Sequence, residues 1–450
     1  MRNRTIIIAL MGFLLLSGLC VGNLHAMPPA QKITTPNSVA VILSEEHSLP
    51  FVTLKLLLEA GSSKDPPGEG GLSFITARAL LLGTQQRTAT QINEELDSLG
   101  IVLDASPGRD FIVLNLRVLK KDLDKGIQLL FEVLLRPTFP EDEVRREIVK
   151  TMAEIQAEED DPGSVGEKAF RKALFNDSPY GHPVEGTRES LARLTRDSVQ
   201  RFYSTHYSPE KAIIAVVGDI GIDEVRTKIL PCIGTWQARS VPQVPYKASY
   251  EKGPKTITID RQITQANIIM GHKGVSRGNP DYYALSVMNY ILGSGMFSSR
   301  LMKEIRDKRG LAYSVGSLFE AGKHPGSFQV ILQTKNTSAR EAISLAIKEI
   351  ERIRSEPVSG KELEEARKYL IGSFPLRLDS QARLAGFFIQ TEYYGLGLDY
   401  PQKYPALIGS VSAEDVLRVA KKYLHPESII TVIVGNIKAV SPDSSQESRP

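Results

Sequence analysis

The chain is poor in cysteine, with Cys20 and Cys232 alone in 450 residues, and two thiols cannot make a disulfide scaffold. Excess charge of one sign is missing as well. Lys+Arg 55 against Asp+Glu 52 leaves +3, too near neutral for a nucleic-acid footprint. There are seven histidines, and no two are spaced i,i+4 as paired metal ligands on a helix would be. Aromatic residues make up only 7%. What remains is an ordinary globular composition, 42% hydrophobic and 24% charged with 35 Gly and 26 Pro, which excludes disordered, collagen-like and coiled-coil chains. At roughly 100–200 residues per domain, the length asks for two to four domains.

Residues 1–26 read as an export signal. Arg2 and Arg4 form a basic start, Ile6 to Leu16 an uncharged apolar run, and Leu24-His25-Ala26 a small-residue cleavage site with Leu at the imperfect position. Leu19 before Cys20 is too large for a lipoprotein signal, and a retained anchor is the alternative. Cleavage removes two arginines and no acid, so the charge falls from +3 to +1. Only Cys232 then survives, which leaves no intrachain disulfide in an oxidising compartment. The expected location is exported and periplasmic, with no membrane association after cleavage.

The remaining sequence is written twice. Residues 209–220 read PEKAIIAVVGDI and residues 426–437 read PESIITVIVGNI, at one offset of 217. Each is a β-rich run closed by a turn signal, with helix-period stretches upstream at Arg188–Tyr203 and Ala413–Tyr423, the latter capped by Ser412. Each copy opens with a strand and an apolar helix. Phe51–Ala60 and Gly71–Leu82 serve the first; Ala266–Gly271 and Tyr282–Leu292 serve the second. Without regular βαβ alternation, the expected class is α+β: two similar domains, each a mainly antiparallel sheet with helices on one face. The boundaries expected are 27–236 and 257–440, joined by a polar, proline-bearing linker at 237–256 and followed by a disordered tail at 441–450.

The segment GLSFITARALLLGT (71–84), with EAGSSKDPPGEG before it, resembles the zinc-motif helix of the pitrilysin and mitochondrial processing peptidase family, the inverzincins. In that motif, H-x-x-E-H, two histidines bind zinc and the glutamate acts as general base. Aligned on the flanking Gly-Leu and Gly-Thr pairs, the three positions hold Phe74, Ala77 and Arg78. Phe has no lone pair to offer, Ala has no base, and Arg stays protonated and repels a cation. The family's third ligand, about 76 residues on, falls on Glu154, and its companion carboxylate on Glu147. Spaced seven apart, the two are expected on one helical face opposite Val144, Ile148 and Ile155. Read alone, two such glutamates describe a solvated face. Arg78, the one charge in an apolar helix, either pairs with Glu147 or Glu154 or reaches out to solvent.

In the second half, GSGMFSSRLMKEIRDKRGLAYSV (293–315) resembles the signature that carries an Arg and a Tyr seven residues apart. The resemblance implies that Arg306 and Tyr313 hold a peptide backbone and its developing oxyanion. Taken alone, Arg306 sits in a basic run that would be a solvated helix face, and Tyr313 could be core. The match spans roughly residues 37–437, and the short Gly293-Ser294-Gly295 loop argues against a presequence-specific role.

The resemblance therefore implies a non-catalytic, substrate-binding subunit of an exported two-chain zinc peptidase. It would hold no metal or cofactor of its own, and zinc would reside in an H-x-x-E-H partner. The alternative is a silent peptide-binding or assembly protein on the same fold.

Overall fold

The computed structural model describes residues 29–176, 178–239, 241 and 253–440. The leader (1–26), most of the linker and the tail (441–450) lie outside them. Among the described residues no helix is long and apolar enough to cross a membrane.

Two mixed, mainly antiparallel sheets organise the chain. The first uses β1 (Ala30–Thr34), β2 (Ala40–Glu45), β3 (Phe51–Leu58), β4 (Val102–Pro107), β5 (Ile112–Leu119) and β6 (Ile213–Gly218), in the order β1-β2-β6-β3-β5-β4. The second uses β7 (Lys255–Asp260), β8 (Gln265–Lys273), β9 (Ala312–Glu320), β10 (Ser327–Lys335) and β11 (Ile430–Gly435), in the order β7-β11-β8-β10-β9. Setting aside β1, the orders correspond strand for strand, down to one parallel pair in each, β2–β6 and β7–β11. Strands β6 and β11 carry the two similar runs, and all six residues of each are buried. The expected α+β class holds.

Each sheet carries helices of its own half on one face, as expected, and its other face is covered as well, by a helix from the opposite half. The helices that matter below are α1 (Leu72–Ala79), α2 (Leu123–Leu135), α3 (Glu141–Glu158), α4 (Pro162–Phe175), α5 (Tyr282–Asn289) and α6 (Gln381–Tyr393). The first half's α4 packs Phe170, Leu174 and Phe175 against Ile269, Val432 and Val434 of the second sheet. In return, α6 packs Leu384, Ala385 and Phe388 against Leu57, Ala215 and Val217 of the first. Physically, a strand such as IIAVVG is apolar at every position, so both its faces require cover. The halves are therefore interlocked.

Local chemistry accounts for most element ends. The expected helix at Ala413–Tyr423 is present with those bounds, and Ser412 and Asp415 form its capping box. The stretch Arg188–Tyr203 instead divides into Arg188–Leu191 and Arg196–His206, because Thr187 and Thr195 each cap a new helix start.

His272 on β8 ties the second sheet to the turn before β11. It is 2% exposed; its Nε2 accepts the N–H of His425 at 3.0 Å, and its Nδ1 meets the Lys273 carbonyl at 2.8 Å. Burial pulls its pKa down to about 4, with His425 and Arg354 acting the same way and Glu427 against. The unfolded chain then binds the extra proton first, so stability is complete above pH ~6.5 and is lost as pH falls towards 4. His272's share of the loss between pH 7 and pH 4.5, read from urea unfolding, should be about 2 kcal/mol, and His272→Gln should shrink the difference by that amount while leaving the part due to His206, which burial also pulls down to about 4.

Candidate functional site

Helix α1 begins where Gly71 adopts φ +91°, a conformation that favours glycine, and where Asp65 caps the start. The Asp65 carboxylate accepts the N–H groups of Gly71 at 2.8 Å and Ser73 at 2.7 Å. Burial pushes its carboxyl up to about 8, against the lowering effect of those two bonds. Behind this cap, α1 packs on α3 and on β4, the strand at the end of its sheet. Ala77 is fully buried, while Phe74 and Arg78 project together, the guanidinium carbon 5.2 Å from the Phe74 ring centre.

Arg78 meets both carboxylates. Its Nε lies 2.6 Å from Glu147 Oε1, its Nη1 2.7 Å from Glu154 Oε2 and its Nη2 3.3 Å from Glu154 Oε1. The Glu154 contact is an aligned two-pronged hydrogen bond. The Glu147 contact is close but off the N–H direction, so Oε1 has charge opposite it without an aligned donor. Lys150 approaches both glutamates at 4.0 Å. The Arg78 hydrogen bond holds the Glu154 carboxyl below its ordinary value. Burial would lower the Arg78 pKa, but the two carboxylates more than offset it.

The two glutamates are not opposite the apolar stripe, as the sequence reading placed them. Glu147 is itself buried, beside Val144, Ile148, Thr151 and Ile155. At 100° per residue it stands only about 60° from Val144, so it borders the stripe. A buried carboxylate cannot lose its cation cheaply. Arg78→Met should cost about 2–3 kcal/mol in urea unfolding, less than a fully buried pair because Glu154 is half exposed, and Arg78→Met/Glu147→Gln should recover most of it.

This donor set does not fit zinc. A catalytic zinc site needs three protein ligands, and α1 supplies none. Both carboxylates already answer a guanidinium, and no group of three His, Cys, Asp or Glu among the described residues is placed to hold a metal. Residues His182 and Glu185 serve other ends: the His182 ring meets the Pro183 carbonyl at 2.8 Å, and Glu185 pairs with Lys168 at 2.9 Å.

At the end of the second sheet the structure brings Arg306 and Tyr313 together through two backbone irregularities. Residues Met302–Asp307 form a wide turn closed by hydrogen bonds five residues apart, such as Lys308 N–H to Lys303 O at 3.0 Å. On β9, Ser314 faces Gln333 and Ala312 faces Thr334, so Tyr313 is the unpaired residue of a β-bulge. Its side chain stands 80% exposed. The Arg306 guanidinium lies between two rings, 4.9 Å from Phe297 and 5.7 Å from Tyr313.

The neighbouring cations are mostly occupied. Arg300 is buried and grips Glu362 at 2.7 and 3.0 Å, while Lys308 and Arg309 share Glu304 at 2.8 and 3.0 Å. Arg306 has no carboxylate partner among the described residues. Its donors are thus free for a ligand, beside a phenol that is also free. The preceding loop is held rigidly, since Asn289 Nδ2 donates to Ser317 O at 3.2 Å and Ser317 Oγ lies 2.7 Å from Asn289 Oδ1. Gly293 packs so close to β9 that an added Cβ would stand 2.4 Å from Ser317 N. The sequence reading missed the Asp65 cap, the Phe297 ring and the Asn289–Ser317 brace; of these only Asp65, ahead of a helix start, carried a local signal.

Comparison with known proteins agrees with this geometry. The insulinase family profile (peptidase family M16) matches residues 40–188, and the peptidase M16 inactive domain profile matches residues 193–370. An uncharacterized zinc protease of Mycobacterium leprae is 30% identical over 302 residues, 66% of this chain and 68% of that protein. A non-peptidase homolog, YmxG, of Helicobacter pylori is 26% identical over 402 residues, 89% and 92% of the two chains. The crystal structure of a peptidase M16 inactive domain from Pseudomonas fluorescens superposes with a TM-score of 0.85 at 26% identity, covering 90% of this chain and 98% of that one. With two matched sheets, a helix in the zinc-motif position that carries no zinc donor, and these likenesses along most of its length, the chain belongs to peptidase family M16.

Proposed function

We propose that this chain is the non-catalytic, substrate-binding subunit of an exported, periplasmic M16 peptidase pair. Its partner is a chain of the same family that carries H-x-x-E-H and the zinc. The metal there would polarise the scissile carbonyl and activate water. This chain's own part is to hold the peptide: the Arg306 guanidinium and the Tyr313 hydroxyl donate to a backbone carbonyl whose charge grows during attack. The observation that carries the reading is the Arg306/Tyr313 arrangement. A bulge turns Tyr313 outward, a wide turn sets Arg306 beside it, and the cation has no counter-ion among the described residues. A purely structural chain would gain nothing from an unpaired guanidinium between exposed rings. Affinity capture of the tagged chain from its native periplasmic extract tests the pairing. One H-x-x-E-H chain should co-purify in equal amount, with zinc equal to half the total number of chains. Recovery of this chain alone, or with zinc at one per copy of it, would overturn the proposal.

A further inference from the structure

A cavity of about 770 Å³ lies between the halves, and neither Arg306 nor Tyr313 lines it. Its floor is β3 of the first sheet, through Lys55, and its walls are α5, α6 and the segments that follow α6. The apolar lining comes from Phe319, Phe374, Phe387 and Tyr400, and the size suits a small organic ligand or a few peptide residues. Four cations line it (Lys55, Arg277, Arg377 and Arg383), and among the lining residues there is no Asp or Glu.

Only one of those cations is neutralised. Arg383 pairs with Asp379 at 2.9 Å. Lys55, half-buried, donates to the Asn115 side-chain oxygen at 2.9 Å. Arg277 stacks 3.8 Å from the Tyr282 ring centre and donates to the Tyr400 hydroxyl at 2.9 Å. Arg377 lies 5.8 and 5.9 Å from the Phe374 and Tyr404 ring centres. None of these three forms an ion pair with a carboxylate among the described residues. Lys55 and Arg277 are partly buried, and such cations without counter-ions are costly; Arg377 stands exposed at the rim, and a planar guanidinium on an aromatic shelf is well placed to take a carboxylate.

We infer that this cavity binds a carboxylate attached to an apolar body, with Lys55, Arg277 and Arg377 as the anion's partners. Such a carboxylate comes either from the C-terminus of a peptide or from a free small acid. The site is independent of the partner chain and of Arg306, so it is tested on the isolated protein. Isothermal titration would use three probes: an N-acetylated tripeptide ending in phenylalanine, its C-terminal amide, and phenylpropionate. The free-acid peptide should bind at least about tenfold more tightly than its amide. Lys55→Met and the exposed-site change Arg377→Gln should each weaken it about fivefold or more, with unchanged melting temperatures. Lys150→Met, outside the cavity, should leave binding as it is. Phenylpropionate binding as tightly as the peptide would name the small acid as the source; much weaker binding would name the peptide terminus. Equal affinity for acid and amide, no heat from any probe at millimolar concentration, or full binding by folded Lys55→Met and Arg377→Gln would overturn the inference.

Discussion

Replacing Phe74 and Arg78 together by histidine is expected to give a chain that binds about one zinc ion at α1, a helix that offers the metal no donor as it stands. Positions 74 and 78 are i,i+4 on α1, and their side chains already project into one space, Arg78 above the Phe74 ring. The third ligand is in place, because the Glu154 carboxylate reaches the group at position 78 at 2.7 Å. Removing Arg78 also frees Glu147, whose buried charge then favours a cation nearby. Leaving Ala77 untouched avoids forcing a carboxylate into a fully buried position, and it also withholds the general base. The double variant should therefore bind zinc with a Kd of about 1 μM or tighter and still cleave nothing. Metal content after gel filtration reads the result. Folded double variant with no more zinc than wild type would show that α1 and α3 are not arranged as a zinc site at all.

In the reconstituted pair, Arg306→Ala should lower kcat/KM by roughly 100- to 1,000-fold, the usual loss when one donor to a developing oxyanion is removed. Tyr313→Phe keeps the ring stacked near Arg306 and removes only the hydroxyl, so its loss should fall mainly on kcat, by about 100-fold. Neither change should unfold the chain. Tyr313 is exposed and unpaired in its ladder, and Arg306 makes no ion pair among the described residues. Loss of KM alone for both variants would mean that they bind substrate without favouring the transition state.

Much of the scaffold was legible because its signals are local. The apolar runs of β6 and β11, the Ser412 cap and the α+β mixture need only periodicity and capping chemistry. The loss of zinc donors at Phe74, Ala77 and Arg78 was legible as well, through the resemblance that aligned them. What escaped depends on contacts far apart in the chain. The exchange of α4 and α6 between the halves is a tertiary choice, hinted at only by strands apolar on both faces. The burial of Glu147 escaped because its neighbours in sequence are charged, although its pairing with Arg78, 69 positions earlier, was one of the two readings open to that arginine. Without the resemblance, which singled out both residues, Tyr313 reads as core and Arg306 as a helix surface, because neither a bulge nor a turn closed five residues apart leaves a mark in period-2 or period-3.6 patterns. The cavity's unpaired cations could not be read at all, since Lys55 and Arg377 come from opposite halves.

The central claim is that this chain completes a partner's active site without chemistry of its own. The most direct test is the initial rate of peptide hydrolysis as this chain is titrated into the proposed H-x-x-E-H partner. The rate should rise and saturate at equal amounts of the two chains. The Arg306→Ala/Tyr313→Phe variant, forming the same complex by gel filtration, should give less than about 1% of that rate. A partner fully active alone, or a complex with the double variant as fast as the wild-type complex, would contradict the account.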